Sequence, residues 1–283
     1  MAECISPVWV KKMFQHVPCG KCNFCLTSRS LDWAFRLEWE QKKSTSSKFI
    51  TLTYADEYIP IDTDGKETLC QRDVQLFLKR MRKFDGARKT SKSKNIRYYY
   101  VGEYGEKKGR PHYHLILFNA EMETINAIPE IWPIGGVHIG TVTGPSIGYT
   151  CGYIFKRFVY QGAGEKPFSQ MSRRPGIGLN YLEKNKLWHK PENQAEYSQA
   201  MNRFHVVANG HQRRLPRYFK NKVFTTGDRD AFNALLPEMR QKAYKTEIAR
   251  LRAFYDDPET SYLRNQPIYH EQITRKQAKN RTL

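Results

Sequence analysis

Arg110-Pro-His-Tyr-His-Leu-Ile-Leu-Phe118 is an apolar run that opens on two histidines, His112 and His114. Read as a strand, its two-residue period puts both imidazoles on one face, about 7 Å apart at the backbone. Two imidazoles so placed suit a single divalent metal. Thirty residues on stands Tyr149-Thr-Cys-Gly-Tyr-Ile-Phe-Lys156. On a helix Tyr149, Tyr153 and Lys156 fall within one narrow stripe, because 3.6 residues make a turn. Two phenols and an ammonium beside a metal that polarises phosphate form a device for breaking a phosphodiester bond.

Working outward, Ile96 to Glu103 reads as the strand before the histidines, joined to them by the charged, Gly-containing turn Tyr104 to Pro111. A hairpin there folds Glu103 back beside the imidazoles. Two histidines rarely complete a site for phosphate chemistry, and a hard carboxylate is the usual third ligand. Glu106 competes for that role from within the turn. Phe49 to Tyr54 and Val137 to Val142 are two further strands, the latter bounded by Gly135-Gly136 and Gly144-Pro145. Ser28 to Gln41 and Gln71 to Phe84 carry apolar residues at helical spacing. Ser146 is placed to cap the tyrosine helix. Strand, helix, strand hairpin, strand, helix is an α+β pattern, an antiparallel sheet with packed helices covering one face.

The flanking segments read less sharply. Asp56 to Lys66 is a polar loop, and Asp85 to Lys94 a Lys/Arg/Ser-rich linker. Gln161 to Gly178 reads as a Gly- and Arg-containing loop, and Arg203 to Arg214 as a hairpin around Asn209-Gly210. Asp228 to Tyr255 is mostly helical, with a break or restart at Pro237. The last twenty-five residues are polar, basic and frayed. The expected organisation is a Cys-rich element over 1–48, a catalytic core over 49–160, a basic DNA-contacting segment over 161–222 and a helical basic extension over 223–283.

The chain of 283 residues carries 47 Lys and Arg against 28 Asp and Glu, a formal net charge of +19. Such a balance predicts a polyanionic partner, since each neutralised phosphate releases condensed counterions. Seventeen tyrosines add surfaces on which single-stranded bases stack. Arg157, Arg173, Arg174, Arg213, Arg214, Arg217 and Lys220 are candidate backbone contacts, with Phe168, Tyr181 and Tyr218 as stacking partners. No stretch is apolar enough to cross a membrane and no secretory signal opens the chain, so a soluble protein of the host cytoplasm is expected. Without any Gly-x-x-x-x-Gly-Lys-Ser/Thr, a fused helicase is not expected.

Of the six cysteines, Cys4, Cys19, Cys22 and Cys25 crowd into the first twenty-five residues. In a reducing compartment that crowding suggests metal more than disulfide, and four thiolates close a tetrahedral zinc site. Reduced cysteines that merely pack are the alternative. Cys70 and Cys151 read as buried thiols.

His-hydrophobic-His followed by Tyr-x-x-x-Tyr-x-x-Lys resembles the HUH endonucleases, the nicking enzymes of rolling-circle replication and conjugative transfer. Val17-Pro-Cys-Gly-Lys-Cys-Asn-Phe-Cys25, Phe49-Ile-Thr-Leu-Thr-Tyr54 and Met171-Ser-Arg-Arg-Pro-Gly-Ile-Gly178 add a resemblance to the gokushovirus branch of the microviruses, from about residue 4 to residue 222. Tyr113 departs from the bulky aliphatic usual between the histidines, but it faces away from the metal. The resemblance implies an RRM-like fold, an acidic ligand on the upstream strand (favouring Glu103), Mg²⁺ or Mn²⁺ as catalytic metal, and a tyrosine nucleophile that makes a 5′-phosphotyrosine. It implies origin and single-stranded DNA as substrate, with a host helicase and polymerase as partners. A plasmid relaxase or single-strand transposase of the same chemistry is the neighbouring reading. A non-catalytic, zinc-stabilised nucleic-acid-binding protein is the reading from another class.

Overall fold

The computed structural model describes residues 4, 6–11, 15–87, 94–106, 108–154, 164–190, 204–208 and 210–265. These divide into two compact units, one of residues 27–185 and one of residues up to 26 together with those from 186 onward.

The first unit is α+β and is built on five antiparallel strands. In chain order they are β3 (Ser47–Thr53), β4 (Arg97–Tyr104), β5 (Pro111–Phe118), β6 (Val137–Thr141) and β7 (Phe168–Met171), two short strands β1 (Val8–Val10) and β2 (Gln15–Val17) preceding them in the other unit. Across the sheet the order is β6-β3-β5-β4-β7, so the histidine strand is central. The strand β7 falls where the sequence reads as a loop. Its Phe-Ser-Gln-Met has no apolar alternation, and its order comes from pairing with Tyr99–Gly102 of β4.

Helices cover both faces of this sheet, not one. The reason lies in β4 and β5, whose Tyr-Tyr-Tyr-Val and Leu-Ile-Leu-Phe runs are apolar at odd and even positions alike, so that each face must be buried. On one face α2 (Gln71–Gly86), α3 (Met122–Asn126) and α4 (Ile128–Ile131) enclose Tyr100, Tyr113, Leu115 and Leu117 around Phe77 and Trp132. On the other, α1 (Asn23–Lys43) brings Trp33, Ala34 and Leu37 to Tyr99, Val101, Ile116 and Phe118. The helix α5 (Gly144–Gly152) adds Ile147 and Cys151 to the same face.

Tyr113 does face away from the histidines, and the structure shows how an aromatic fits there. Its cross-strand partner is Gly102. A Cβ on that glycine would stand 3.1 Å from both the Tyr113 and Phe168 rings, so the missing side chain is what admits the tyrosine. The Tyr113 hydroxyl then accepts from the Cys70 N–H at 2.7 Å, donates to the Cys70 carbonyl at 2.9 Å and meets the Tyr54 hydroxyl at 3.0 Å. Through these bonds the loop before α2 is fastened to the sheet. Cys151 is fully buried as expected, whereas Cys70 is half-buried.

In the second unit, β8 (His205–Ala208) and β9 (His211–Arg214) form the expected hairpin, with Gly210 in the left-handed region at φ 76°. The helix α6 (Asn180–His189) runs across the boundary between the two units, and α7 (Arg217–Val223), α8 (Thr226–Leu251) and α9 (Pro258–Asn265) follow the hairpin. The long helix does not break at Pro237 but carries it within. Among the described residues, no helix is long and apolar enough to cross a membrane.

Replacing Tyr113 by Phe leaves the Cys70 amide and carbonyl without their buried partner, which costs about 1–3 kcal/mol. A lower urea midpoint for Tyr113→Phe is therefore expected, with the far-ultraviolet spectrum unchanged. A midpoint equal to that of the parent protein would contradict this account of the buried hydroxyl.

Candidate active site

The β4–β5 register does most of the assembly. Glu103 pairs directly with His112, and Val101 with His114. In antiparallel strands paired residues project to the same face, and alternate residues along β5 share that face. Glu103, His112 and His114 therefore converge, with candidate ligand atoms all within 4.8 Å of one another. Glu106 lies in the turn and is not part of that group.

Glu103 is 2% exposed, and one of its oxygens, Oε1, stands 2.8 Å from His112 Nε2 and 3.1 Å from His114 Nε2. The other nitrogen of His112, Nδ1, is 3.2 Å from the Arg110 carbonyl oxygen. A carbonyl only accepts, so Nδ1 carries the proton, and in a neutral imidazole Nε2 is then a bare lone pair. That lone pair faces a carboxylate oxygen that also only accepts. Two acceptors at this separation need positive charge between them, either an added proton or a metal ion. The donor set, one carboxylate and two imidazoles, is one that a divalent cation takes, so the residues present fit the metal that the resemblance implies.

The sequence reading missed the residue that orients His114. Thr51 Oγ1 stands 3.0 Å from His114 Nδ1, leaving Nε2 to face Glu103. It is the cross-strand partner of His114 on β3. The signal was present in the Thr-Leu-Thr alternation of that strand, but pairing register is needed to read it. Phe49 stacks on the same imidazole with centroids 5.5 Å apart. Partners of this kind fix the ring direction.

Above the imidazoles sit both tyrosines. The helix that carries them is capped by Thr143, whose side chain accepts from the Ser146 N–H while Ser146 reaches back to the Thr143 amide. Ser146 is thus the box partner and not the cap, since Gly144-Pro145 already occupy the first helical positions. Tyr153 is the C-terminal cap of this helix, still right-handed at φ −63° and ψ −12°. Its ring stacks on His114 at 5.3 Å with planes 9° apart, and its hydroxyl is 3.5 Å from His114 Nε2. The Tyr149 ring lies 5.3 Å from His114 and 4.7 Å from Tyr153.

The phenols are not equivalent. Tyr149 is 54% exposed and Tyr153 only 7%. Burial first, then the neighbouring Tyr149 hydroxyl and Glu103 carboxylate, push the Tyr153 phenol far above its usual range. A small cavity of about 20 Å³ beside Tyr153 is lined by Arg29 of α1, a cation the sequence reading did not single out. Lys156 and Arg157 lie outside the described residues.

The other expected DNA contacts fall in two places. Arg173 and Arg174 line a cavity of about 1080 Å³ together with Arg82, Lys94 and Tyr98. It sits at the Arg97 and Phe118 ends of β4 and β5, four to six residues and so roughly 13–20 Å from the histidines. Arg213, Arg214, Arg217 and Lys220 belong to the other unit, on β9 and α7. There Lys220 lies over the Phe204 and Phe232 rings. Of the suggested stacking partners, Tyr181 is buried edge-on against Phe35 and Trp39, and Phe168 packs on Tyr100 and Tyr113. Packing takes up both rings. Tyr218 remains half-buried.

A phenol whose proton is held above its unfolded value near 10 leaves stability intact below that pH. Stability is then lost as pH climbs beyond it, because the unfolded chain releases the proton first. In metal-free protein, stability between pH 10 and pH 11 should therefore fall less steeply in Tyr153→Phe than in the parent, by about one proton. Equal slopes in urea unfolding across that range would show that Tyr153 is not held protonated.

Comparison with known proteins finds similarity to phage replication-associated proteins. The family model described as Replication-associated protein ORF2 matches residues 47–158. Replication-associated protein ORF2 of Spiroplasma virus 4 is 26% identical over 87% of this chain and 80% of its own length. Replication-associated protein VP4 of Bdellovibrio phage phiMH2K is 29% identical over 72% of this chain and 66% of its own. For Replication-associated protein ORF4 of Chlamydia phage 1 the identity is 27%, over 75% of this chain and about half (54%) of that protein. No solved structure matches. The matched region contains the histidine strand and the paired tyrosines, and over it the chain is similar to the replication-associated proteins of these phages.

Proposed function

We propose that this protein is a nicking-joining endonuclease that starts and ends rolling-circle replication of a small circular phage genome. The observation that carries the proposal is the convergence of Glu103, His112 and His114 directly beneath Tyr149 and Tyr153. The central histidine strand of the five-stranded antiparallel sheet supports reading residues 49–160 as an RRM-like HUH core. The phage relatives favour an initiator over a relaxase or transposase of the same chemistry. A non-catalytic binding protein would have no use for a buried carboxylate facing two imidazoles.

Glu103, His112 and His114 are the residues that would hold Mg²⁺ or Mn²⁺. Held there, such a cation would supply positive charge that polarises the scissile phosphate and lowers the proton affinity of a neighbouring phenol. The phenol oxygen attacks phosphorus in line, the bond to the 3′ oxygen breaks, and the phenol proton is given up as the 3′-hydroxyl takes one. The product is a 5′-phosphotyrosine, which conserves the cleaved linkage so that rejoining needs no ATP. Tyr149, exposed, is open to incoming DNA, whereas Tyr153 is held against His114. After one round of copying, the unused tyrosine cuts the regenerated origin, and the released 3′-hydroxyl attacks the first phosphotyrosine to close a circle. Thr51 and the Arg110 carbonyl engage the Nδ1 atoms, leaving Nε2 of each imidazole to face the metal position.

The DNA path is assigned to the basic surface. Arg173 and Arg174 with the cavity they line would hold the strand leading away from the site, and Arg213, Arg214, Arg217 and Lys220 would contact its backbone. Lys156, which lies outside the described residues, would supply positive charge for the phenol or hold the phosphate. Origin and single-stranded DNA are the substrates, a host helicase and polymerase the partners, and the host cytoplasm the location.

Incubation with a labelled single-stranded origin oligonucleotide and Mn²⁺ tests the reading. The parent protein should form a covalent adduct, each single Tyr→Phe variant should form some, and Tyr149→Phe with Tyr153→Phe none. His114→Ala should lose the adduct but keep most DNA affinity. Thr51→Val should weaken Mn²⁺ binding roughly 10- to 100-fold. An adduct that survives the double Tyr→Phe change would overturn the assignment of the nucleophiles.

A further inference from the structure

Outside the phosphodiester site, one more group of metal-ligating side chains converges among the described residues: Cys4, Cys19, Cys22 and Cys25. We propose that these four cysteines hold a single zinc ion as thiolates, in a closed structural site. The inference does not rest on the nicking reading and uses none of its residues.

The spacing of the sulfurs is the first argument. All four lie within 4.8 Å of one another, with Cys19 and Cys25 at 4.0 Å and Cys4 and Cys22 at 3.9 Å. Four thiolates around zinc at about 2.3 Å form a tetrahedron whose edges are about 3.8 Å. A disulfide brings its sulfurs to about 2 Å, so neither pair is one. An iron–sulfur cluster spreads its thiolates around a larger core. The sulfurs stand as they would around one ion.

The backbone supplies the second argument. Gly20 follows Cys19 in the left-handed region at φ 74°, and the turn it makes aims the Lys21 and Cys22 N–H groups at Cys19 Sγ, both at 3.4 Å. The Cys19 N–H in turn donates to Cys4 Sγ at 3.1 Å. Several amide donors on a sulfur favour its anionic form, the state in which it ligates metal. Cys25 sits in the first turn of α1, which sets its sulfur beside those of the preceding turn. Between Cys4 and Cys19, β1 and β2 pair antiparallel, with Val8 opposite Val17. That pairing returns the second cysteine to the first.

Four protein ligands leave zinc no open position, so the site is structural. Binding displaces the protons of those cysteines that are still thiols, and the affinity must fall as pH drops.

The test is metal analysis of full-length protein purified under reduction and without chelator. About one zinc per chain is expected, and the same in Glu103→Gln with His114→Ala, which removes the other site. Cys22→Ala with Cys25→Ala should lower zinc at least about tenfold. Cys25→His, which keeps a four-ligand set, should retain it and guard against a variant that merely misfolds. Cobalt exchanged into the parent protein should give the intense visible absorption of tetrahedral thiolate coordination. Absence of zinc from the parent, iron in its place, or zinc lost with Glu103 and His114 but kept without the cysteines would each overturn the proposal.

Discussion

The candidate site depends above all on the antiparallel register of β4 against β5. One pairing, Glu103 opposite His112, decides which side chains meet. A slip of one residue would turn every side chain of β5 to the other face, sending the histidines into the aromatic core and Tyr113 to the metal side. Packing on both faces prevents that slip. Tyr113 has a place only where Gly102 leaves room for it. Its hydroxyl then finds Cys70 and Tyr54, as Thr51 on the opposite face finds His114.

The same pairing creates an electrostatic conflict. It sets a buried carboxylate against two imidazoles, one of which has its Nδ1 proton directed to a backbone carbonyl. Buried acceptors facing each other are costly unless positive charge joins them. The fold is built to hold that arrangement rigidly, with the histidines on a central strand and their outer nitrogens already engaged. Such preorganisation is what a metal site on a sheet offers over one on a loop. The helix above adds two phenols of unequal exposure, Tyr149 open to solvent and Tyr153 sheltered against His114.

Much of this was legible in the chain because strand and helix periods are local. His112 and His114 at two-residue spacing and the tyrosines one helical turn apart fix which residues share a face before any tertiary contact is known. The apolar runs of β4 and β5 were equally visible, yet their double-sidedness was not drawn out, and covering helices on one face were expected where both are covered. What stayed hidden was tertiary. Strand β7 owes its order to β4, Thr51 owes its role to register, and Arg29 comes beside Tyr153 through the packing of a distant helix. Tyr181 reads as a surface aromatic until Phe35 and Trp39 close over it. The continuity of α8 through Pro237 runs against the local rule that proline ends or breaks a helix.

The most direct measurement of the central claim is anomalous diffraction from crystals of the protein grown with Mn²⁺. The account predicts one strong manganese peak within ligand distance, about 2.0–2.3 Å, of a Glu103 oxygen and of Nε2 of both His112 and His114, and its loss in Glu103→Gln. A peak ligated by Glu106 instead, or no peak beside these histidines in crystals whose Tyr149 and Tyr153 are ordered, would contradict it.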